Sequence, residues 1–288
     1  MKIYKTLKDK FIELYGEHES SAISFLLLEK HCGLGMTDVV MGKDECLDNG
    51  TVAELYRMAE RIANGEPVQY VLGKADFCGH TFNVAPGVLI PRPETEELME
   101  WICQDYTDTV NKQSLRLLDI GTGSGCIAIS LARRLCGAKV EAWDISETAL
   151  RIAEKNAEII GAEVVFRQRD VLAPLFEMDM TCRYSAIVSN PPYICEEERT
   201  GMERNVLEHE PSTALFVPDN DPLLFYRAIA EKATKMLYPG GALYFEINSR
   251  FSLETADLMR TFGFTQIETK RDFMNKERMI KGIFKGGE

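Results

Sequence analysis

The chain has 288 residues, 45% of them hydrophobic and 27% charged, with a formal net charge of −12. That length suffices for two domains, and no long uncharged apolar run suggests a membrane span. The acidic balance argues against a protein whose main task is gripping nucleic-acid phosphates, and the polar start Met1-Lys2-Ile3-Tyr4-Lys5 is no secretion signal, so a cytoplasmic protein is expected.

From the N-terminus to about Gly73 the pattern is helical, with Phe11, Leu14, Ala22, Phe25, Leu26 and Leu27 recurring at roughly helical spacing. A second helix is predicted from Thr51 to Asn64, with Leu55, Met58, Ala59 and Ile62 on one face and Gly65 as its terminator. The period then changes. Phe77, His80, Phe82, Val84 and Val88 alternate loosely around Gly79 and Pro86-Gly87, which predicts a β-hairpin. Thr95 is placed to cap a helix through Leu98 and Trp101.

From Arg116 onward strands and helices alternate. Strands are predicted at Leu117–Ile120, Lys139–Asp144, Val164–Phe166, Ala186–Val188 and Ala242–Ile247, with a closing pair near Gln266–Glu268 and Ile280–Phe284. Ser146 caps an intervening helix that ends at Gly161. Apolar strands alternating with helices predict an α/β fold: a doubly wound, mostly parallel sheet covered on both faces. The expected domains are a helical one at 1–73, a hairpin linker at 74–90 and an α/β domain at 91–288.

Two motifs carry chemistry. Between a strand and a helix lies Gly121-Thr122-Gly123-Ser124-Gly125, where alternating glycines let a ligand approach the backbone closely. The third glycine comes too early for the dinucleotide fingerprint, so a ligand without a pyrophosphate is expected. Asp144 ends the next strand, about where such folds carry the acid that holds ribose hydroxyls, and Asp170 follows the third strand as a candidate acceptor for an adenine amino group. The second motif is Asn190-Pro191-Pro192-Tyr193, directly after a buried strand. Proline ends the strand's hydrogen bonding and stiffens the loop, leaving an amide and a ring at fixed places that suit a planar amide or amino group. The eight cysteines show no C-x-x-C or zinc spacing, His18, His31, His80 and His209 show no metal spacing, and no metal is expected. The acidic run Glu196-Glu197-Glu198 is expected to be a solvated loop.

With these motifs the chain resembles S-adenosylmethionine-dependent methyltransferases. Gly65-Glu66-Pro67-Val68-Gln69-Tyr70, Leu89-Ile90-Pro91-Arg92-Pro93-Glu94-Thr95-Glu96, Glu210-Pro211 and Pro239-Gly240-Gly241 make it similar to the release-factor glutamine methyltransferase family over essentially its whole length. The resemblance implies a Rossmann-like methyltransferase domain, S-adenosyl-L-methionine as cofactor, and the Gly-Gly-Gln glutamine of peptide chain release factors as substrate. It implies that Gly121, Thr122, Gly123, Ser124, Gly125, Asp144, Asp170 and Asn190 contact the cofactor. Asn190, Pro191 and Tyr193 are the expected catalytic residues, and Asn190, Pro191, Pro192, Tyr193, Arg92 and Glu94 the expected substrate contacts. Arg92, Glu94 and Glu96 either line the entrance or pair with nearby charges. Asn248 stands where the family often has glycine and Val171 where it often has an aromatic; neither is expected to touch the substrate grip. The alternative function is methylation of a nucleobase amino group in DNA, which the acidic charge disfavours; a non-catalytic binder of release factor or nucleoside is the third reading. Release factors are the expected partners, with no stable nucleic-acid binding and no membrane association.

Overall fold

The computed structural model describes residues 2–108 and 114–286. The chain divides into two units: one runs to Lys74 and takes in Met202–His209, and the other comprises Ala75–Gly201 and the chain from Glu210 onward.

The first unit is helical, with α1 (Lys2–Cys32), α2 (Met36–Val40), α3 (Asn49–Ala63) and α4 (Val68–Leu72). Gly16, at φ 71° and ψ 179°, interrupts α1. Asp48 caps α3 by accepting hydrogen bonds from the Gly50 and Thr51 amides at 2.8 and 3.1 Å. Leu7, Phe11, Leu27, Leu28, Leu55, Ala59 and Ile62 form its core. Of the predicted apolar stripe, Leu14 points outward and is 51% exposed.

The second unit opens with a hairpin of β1 (Lys74–Phe77, its first residue still in the helical unit) and β2 (His80–Asn83). Its turn holds both Cys78 (φ 48°) and Gly79 (φ 78°) left-handed, the backbone that matches a two-residue hairpin to strand twist. Phe77 and Phe82 stack edge to face at 6.0 Å and are buried in the core of this unit.

After α5 (Pro93–Tyr106) come β3 (Arg116–Ile120), α6 (Cys126–Arg134), β4 (Lys139–Asp144), α7 (Glu147–Ile160), β5 (Val164–Gln168), α8 (Glu177–Thr181) and β6 (Tyr184–Ser189). The short β7 (Ile194–Cys195), α9 (Arg204–His209), α10 (Ser212–Leu215) and β8 (Phe216–Val217) precede α11 (Leu224–Met236), β9 (Leu237–Glu246), α12 (Ser252–Thr261), β10 (Phe264–Arg271) and β11 (Glu277–Phe284). Of these, α9 lies within Met202–His209 and so belongs to the helical unit.

The main sheet has 7 strands in the order β10-β11-β9-β6-β3-β4-β5. It is parallel from β5 to β9, and β11 and β10 add antiparallel strands at one edge. Successive strand residues face opposite layers: Leu117 joins the core with α5 and α6, Leu118 the core with α11 and α12. This is the doubly wound fold expected from the alternating pattern.

The chain leaves β3 toward β4 on one side and returns with β6 on the other. That reversal opens a crevice beyond the carboxyl ends of β3 and β6, where open α/β sheets bind ligands. Both sequence motifs sit there.

Candidate active site

The glycine bend follows β3 directly. The Gly121 and Thr122 amides both donate to the Trp143 carbonyl, at 2.8 and 2.9 Å, which ties the bend to β4. Gly121, Gly123 and Gly125 have φ of 78°, 56° and 82°, but they serve different ends. A Cβ on Gly123 would meet nothing within 4 Å, and one on Gly121 only the Asn190 carbonyl oxygen at 4.0 Å. These two face open space. A Cβ on Gly125 would lie 2.8 Å from Ile129 and 3.0 Å from Ala153, so this glycine is required by helix packing.

Polar groups brace the bend from below. Asp119 is fully buried; its Oδ2 accepts from the Thr122 hydroxyl at 2.7 Å and the Ala128 amide at 3.2 Å, while Oδ1 has no hydrogen-bond partner. Burial pushes the Asp119 carboxyl up to about 7. Thr122 and Ser124 are buried, so what they offer a ligand is backbone. Asn156 donates to the Ser124 carbonyl at 2.9 Å and to the Asn83 carbonyl at 3.0 Å, and accepts from the Asn83 amide at 2.7 Å. It thereby joins α7, the bend and the hairpin.

Asp144, at the end of β4, accepts from the Gly123 amide on Oδ2 and the Ser146 amide on Oδ1, both at 2.8 Å. Burial raises its carboxyl above the usual range. Each oxygen keeps a lone pair for a further donor such as a ribose hydroxyl. Asp170 is exposed beyond β5, with Oδ1 accepting from the Leu172 amide at 2.8 Å, a turn-forming bond. An adenosyl ligand with two ribose hydroxyls fits this arrangement: the carboxylate acceptors of Asp144 beside glycines whose Cβ positions are open.

The Asn-Pro-Pro-Tyr corner follows β6. Ser189 pairs with Ile120 in register, and its hydroxyl donates to the Ile120 carbonyl at 2.7 Å. Corner and bend are therefore neighbours. Asn190 is half-buried and donates from Nδ2 to Thr95 Oγ1 at 3.2 Å. Pro191 is buried and Pro192 half-buried. The Tyr193 hydroxyl donates to Glu246 Oε1 at 2.9 Å, and its ring packs against the core around Tyr226 and Ile247. Burial, then the Glu246 charge, raises the phenol well above its ordinary value.

Thr95 does not cap α5. Pro93 starts that helix, with Arg92 at the N-cap position, and its fixed φ suits the first turn. Thr95 instead lies in the first turn, is 3% exposed, and donates to Glu246 Oε2 at 2.6 Å. Arg92 pairs with buried Glu210 at 2.5 Å, and Glu210 also accepts from the Ile90 amide at 3.2 Å. Glu96 accepts from the Cys78 amide at 2.7 Å. Burial raises the Glu246 carboxyl, and the charge of Glu94 adds a smaller push in the same direction.

Asn248 touches the corner, contrary to expectation. Its Nδ2 donates to the Tyr193 carbonyl at 3.0 Å and to Glu198 Oε2 at 2.9 Å. Glu198 also accepts from the Cys195 amide at 2.9 Å, so the last acid of the run is structural, while Glu197 pairs with Arg250 at 2.8 Å. Glu246 and Asn156 are not singled out by the sequence. The available signal was a carboxylate ending an otherwise apolar strand, since a buried charge demands partners.

Among the described residues no helix is long and apolar enough to cross a membrane. Residues 9–73 match the PrmC N-terminal domain and residues 104–211 the Methyltransferase small domain. The release factor glutamine methyltransferase of Bacteroides thetaiotaomicron is 46% identical over 276 residues, covering 95% of this chain and 96% of that one. The enzyme of the same name from Flavobacterium psychrophilum is 40% identical over 287 residues, covering 98% and 100%, and that of Bacillus subtilis 34% over 282, covering 96% of each. Among solved structures, a T. thermophilus 16S rRNA N2 G1207 methyltransferase in complex with AdoMet and guanosine aligns with a TM-score of 0.53 at 21% identity, covering 73% of this chain and 49% of that one. The last likeness concerns the fold.

Proposed function

The chain belongs to the release factor glutamine methyltransferase family, and from that premise we propose that it methylates the side-chain amide nitrogen of the Gly-Gly-Gln glutamine in peptide chain release factors. S-adenosyl-L-methionine supplies the methyl group, already activated on a sulfonium. The observation that carries the assignment of roles is the meeting of the two loops, with the Asn190 carbonyl 4.0 Å from where a Gly121 Cβ would stand. Gly121, Thr122, Gly123, Ser124 and Gly125 cradle the cofactor, Asp144 accepts from its ribose hydroxyls, and Asp170 lies on the side assigned to adenine.

An amide nitrogen is a weak nucleophile because its lone pair is delocalised, so alignment and exclusion of water are the protein's main contributions. Asn190 Oδ1 and the Pro191 carbonyl accept the two N–H bonds of the substrate amide. They hold its nitrogen toward the methyl carbon and favour the positive charge that builds there during transfer. Tyr193 and Pro192 wall the pocket. The amide proton leaves with or after methyl transfer, without a dedicated base. Arg92, already paired with Glu210, shapes the entrance with Glu94. The helical unit serves substrate recognition, because one glutamine offers too little surface for specificity. Such an enzyme works where release factors act, in the cytoplasm.

The test is mass spectrometry after incubating release factor, and in parallel DNA, with the protein and S-adenosylmethionine. One added methyl mapping to the Gly-Gly-Gln glutamine is expected. Methylated DNA with unmodified release factor would overturn the assignment.

A further inference from the structure

Behind the proline corner lies a chain of hydrogen bonds that joins three distant segments. Glu246, 1% exposed at the end of β9, accepts from Thr95 Oγ1 at 2.6 Å and from the Tyr193 hydroxyl at 2.9 Å. Thr95 Oγ1 in turn accepts from Asn190 Nδ2 at 3.2 Å. A threonine hydroxyl has one hydrogen, and a carboxylate is an acceptor only. With that hydrogen committed to Glu246, Thr95 has only lone pairs left for Asn190. The Asn190 amide must therefore turn its –NH2 toward Thr95 and its Oδ1 to the opposite side.

We infer that Thr95 and Glu246 are positioning residues that fix which face of the Asn190 amide meets the substrate. The inference rests on the reading above, that Asn190 Oδ1 receives a substrate N–H. A substrate –NH2 can only donate there, so a reversed Asn190 would set donor against donor. A site built to pair with one polar group discriminates strongly when that partner is mismatched. Burial raises the Glu246 carboxyl, while the hydroxyls of Thr95 and Tyr193 and the Arg278 guanidinium, which lies 6.0 Å from the Tyr193 ring centre, work to keep it ionised.

The test uses the full chain carrying Thr95→Val, Thr95→Ser, Glu246→Gln or Asn190→Ala. Steady-state methylation of release factor is measured with calorimetric binding of S-adenosylhomocysteine and NMR of the Asn190 side-chain amide. T95V keeps the shape of threonine without its hydroxyl and should lower kcat by roughly ten- to a hundred-fold, with KM and cofactor affinity within about two-fold. T95S should restore most of that loss. In E246Q the carboxamide offers one acceptor and one donor to two hydroxyls that both donate to the carboxylate, so the Thr95 hydrogen is no longer fixed; kcat should fall as far as in T95V where the –NH2 faces Thr95, and less where the oxygen does. The Asn190 –NH2 hydrogens should exchange slowly with water in wild type and T95S, and quickly in T95V. If T95S loses as much as T95V, or if T95V and E246Q turn over normally while N190A is inactive, the positioning role is wrong and the grip survives. An N190A protein of wild-type activity would overturn the grip, and the inference with it. Should E246Q fail to fold, the T95S and T95V pair decides alone.

Discussion

The two halves of the crevice are built by different means. The cofactor side is local: bend, helix and acid all lie within Asp119–Ser146, and backbone groups make most of its bonds. The corner that faces the substrate is braced by side chains from α5, β9 and the loop after β9, with partners 95, 53 and 55 positions away in sequence. A backbone cradle tolerates side-chain change as long as its turn geometry survives. A corner held by side chains can be altered one hydrogen bond at a time. The contrast teaches that cofactor affinity and turnover should separate cleanly under mutation.

The sharpest way to break this contrast is Asn190→Ala. Removing one of two acceptors for the substrate amide should cost on the order of 10³-fold in kcat, from lost alignment and lost charge stabilisation together. Binding of S-adenosylhomocysteine, measured by calorimetry, should change less than about three-fold. A comparable loss of cofactor affinity would mean that the two halves are not independent.

The same contrast explains what could be read in advance. Alternating glycines, Asp144 and the apolar strands announce themselves within short windows, because period and turn chemistry are local properties. Thr95 satisfies the local rule for a helix cap for the same reason: it is a threonine ahead of an apolar run, although Pro93 two residues earlier already starts the helix. Its true partner, Glu246, is 151 positions away, and no local pattern reports that distance. No local pattern marks Asn248 either, because its contact with Tyr193 exists only once β9 lies beside β6.

On the cofactor side, the largest expected effect is on stability rather than rate. The Asp119 carboxyl holds its proton up to about pH 7 in the folded protein, whereas in the unfolded chain it loses it near pH 4. Between these values the folded state binds more protons, so this contribution is complete below about pH 4 and falls away as pH rises toward 7. The total is on the order of 4 kcal/mol for a group this buried. Denaturant unfolding of the cofactor-free protein at about pH 5 and about pH 8 should show the drop, and Asp119→Asn should remove most of it. An unchanged drop in that variant would assign the pH dependence elsewhere.

A second probe of the cradle is Gly125→Ala. The new methyl group would press on Ile129 and Ala153, at a residue whose φ of 82° already suits only glycine. Overpacking with backbone strain should cost about 1–3 kcal/mol in unfolding free energy. Gly123→Ala, with open space around its Cβ, should cost less stability but lower cofactor affinity more. Equal losses of stability in the two variants would mean that the glycines are not divided between packing and ligand approach.

The smallest expected effect lies at the corner. Asn248→Gly removes the donor shared by the Tyr193 carbonyl and Glu198, and replaces a fixed residue by a flexible one. Each lost bond is worth about 1 kcal/mol net. The Tyr193 hydroxyl keeps its bond to Glu246, so the ring has a second tether and the corner should loosen without collapsing. A three- to ten-fold fall in kcat is expected, roughly one such bond, with S-adenosylhomocysteine binding unchanged. Combined with Thr95→Val, the loss should exceed the sum of the separate free-energy changes, since both variants free the same loop and neighbours sharing partners rarely add. Strict additivity would make the corner two separate supports, one at Asn190 and one at Tyr193, rather than a single braced unit.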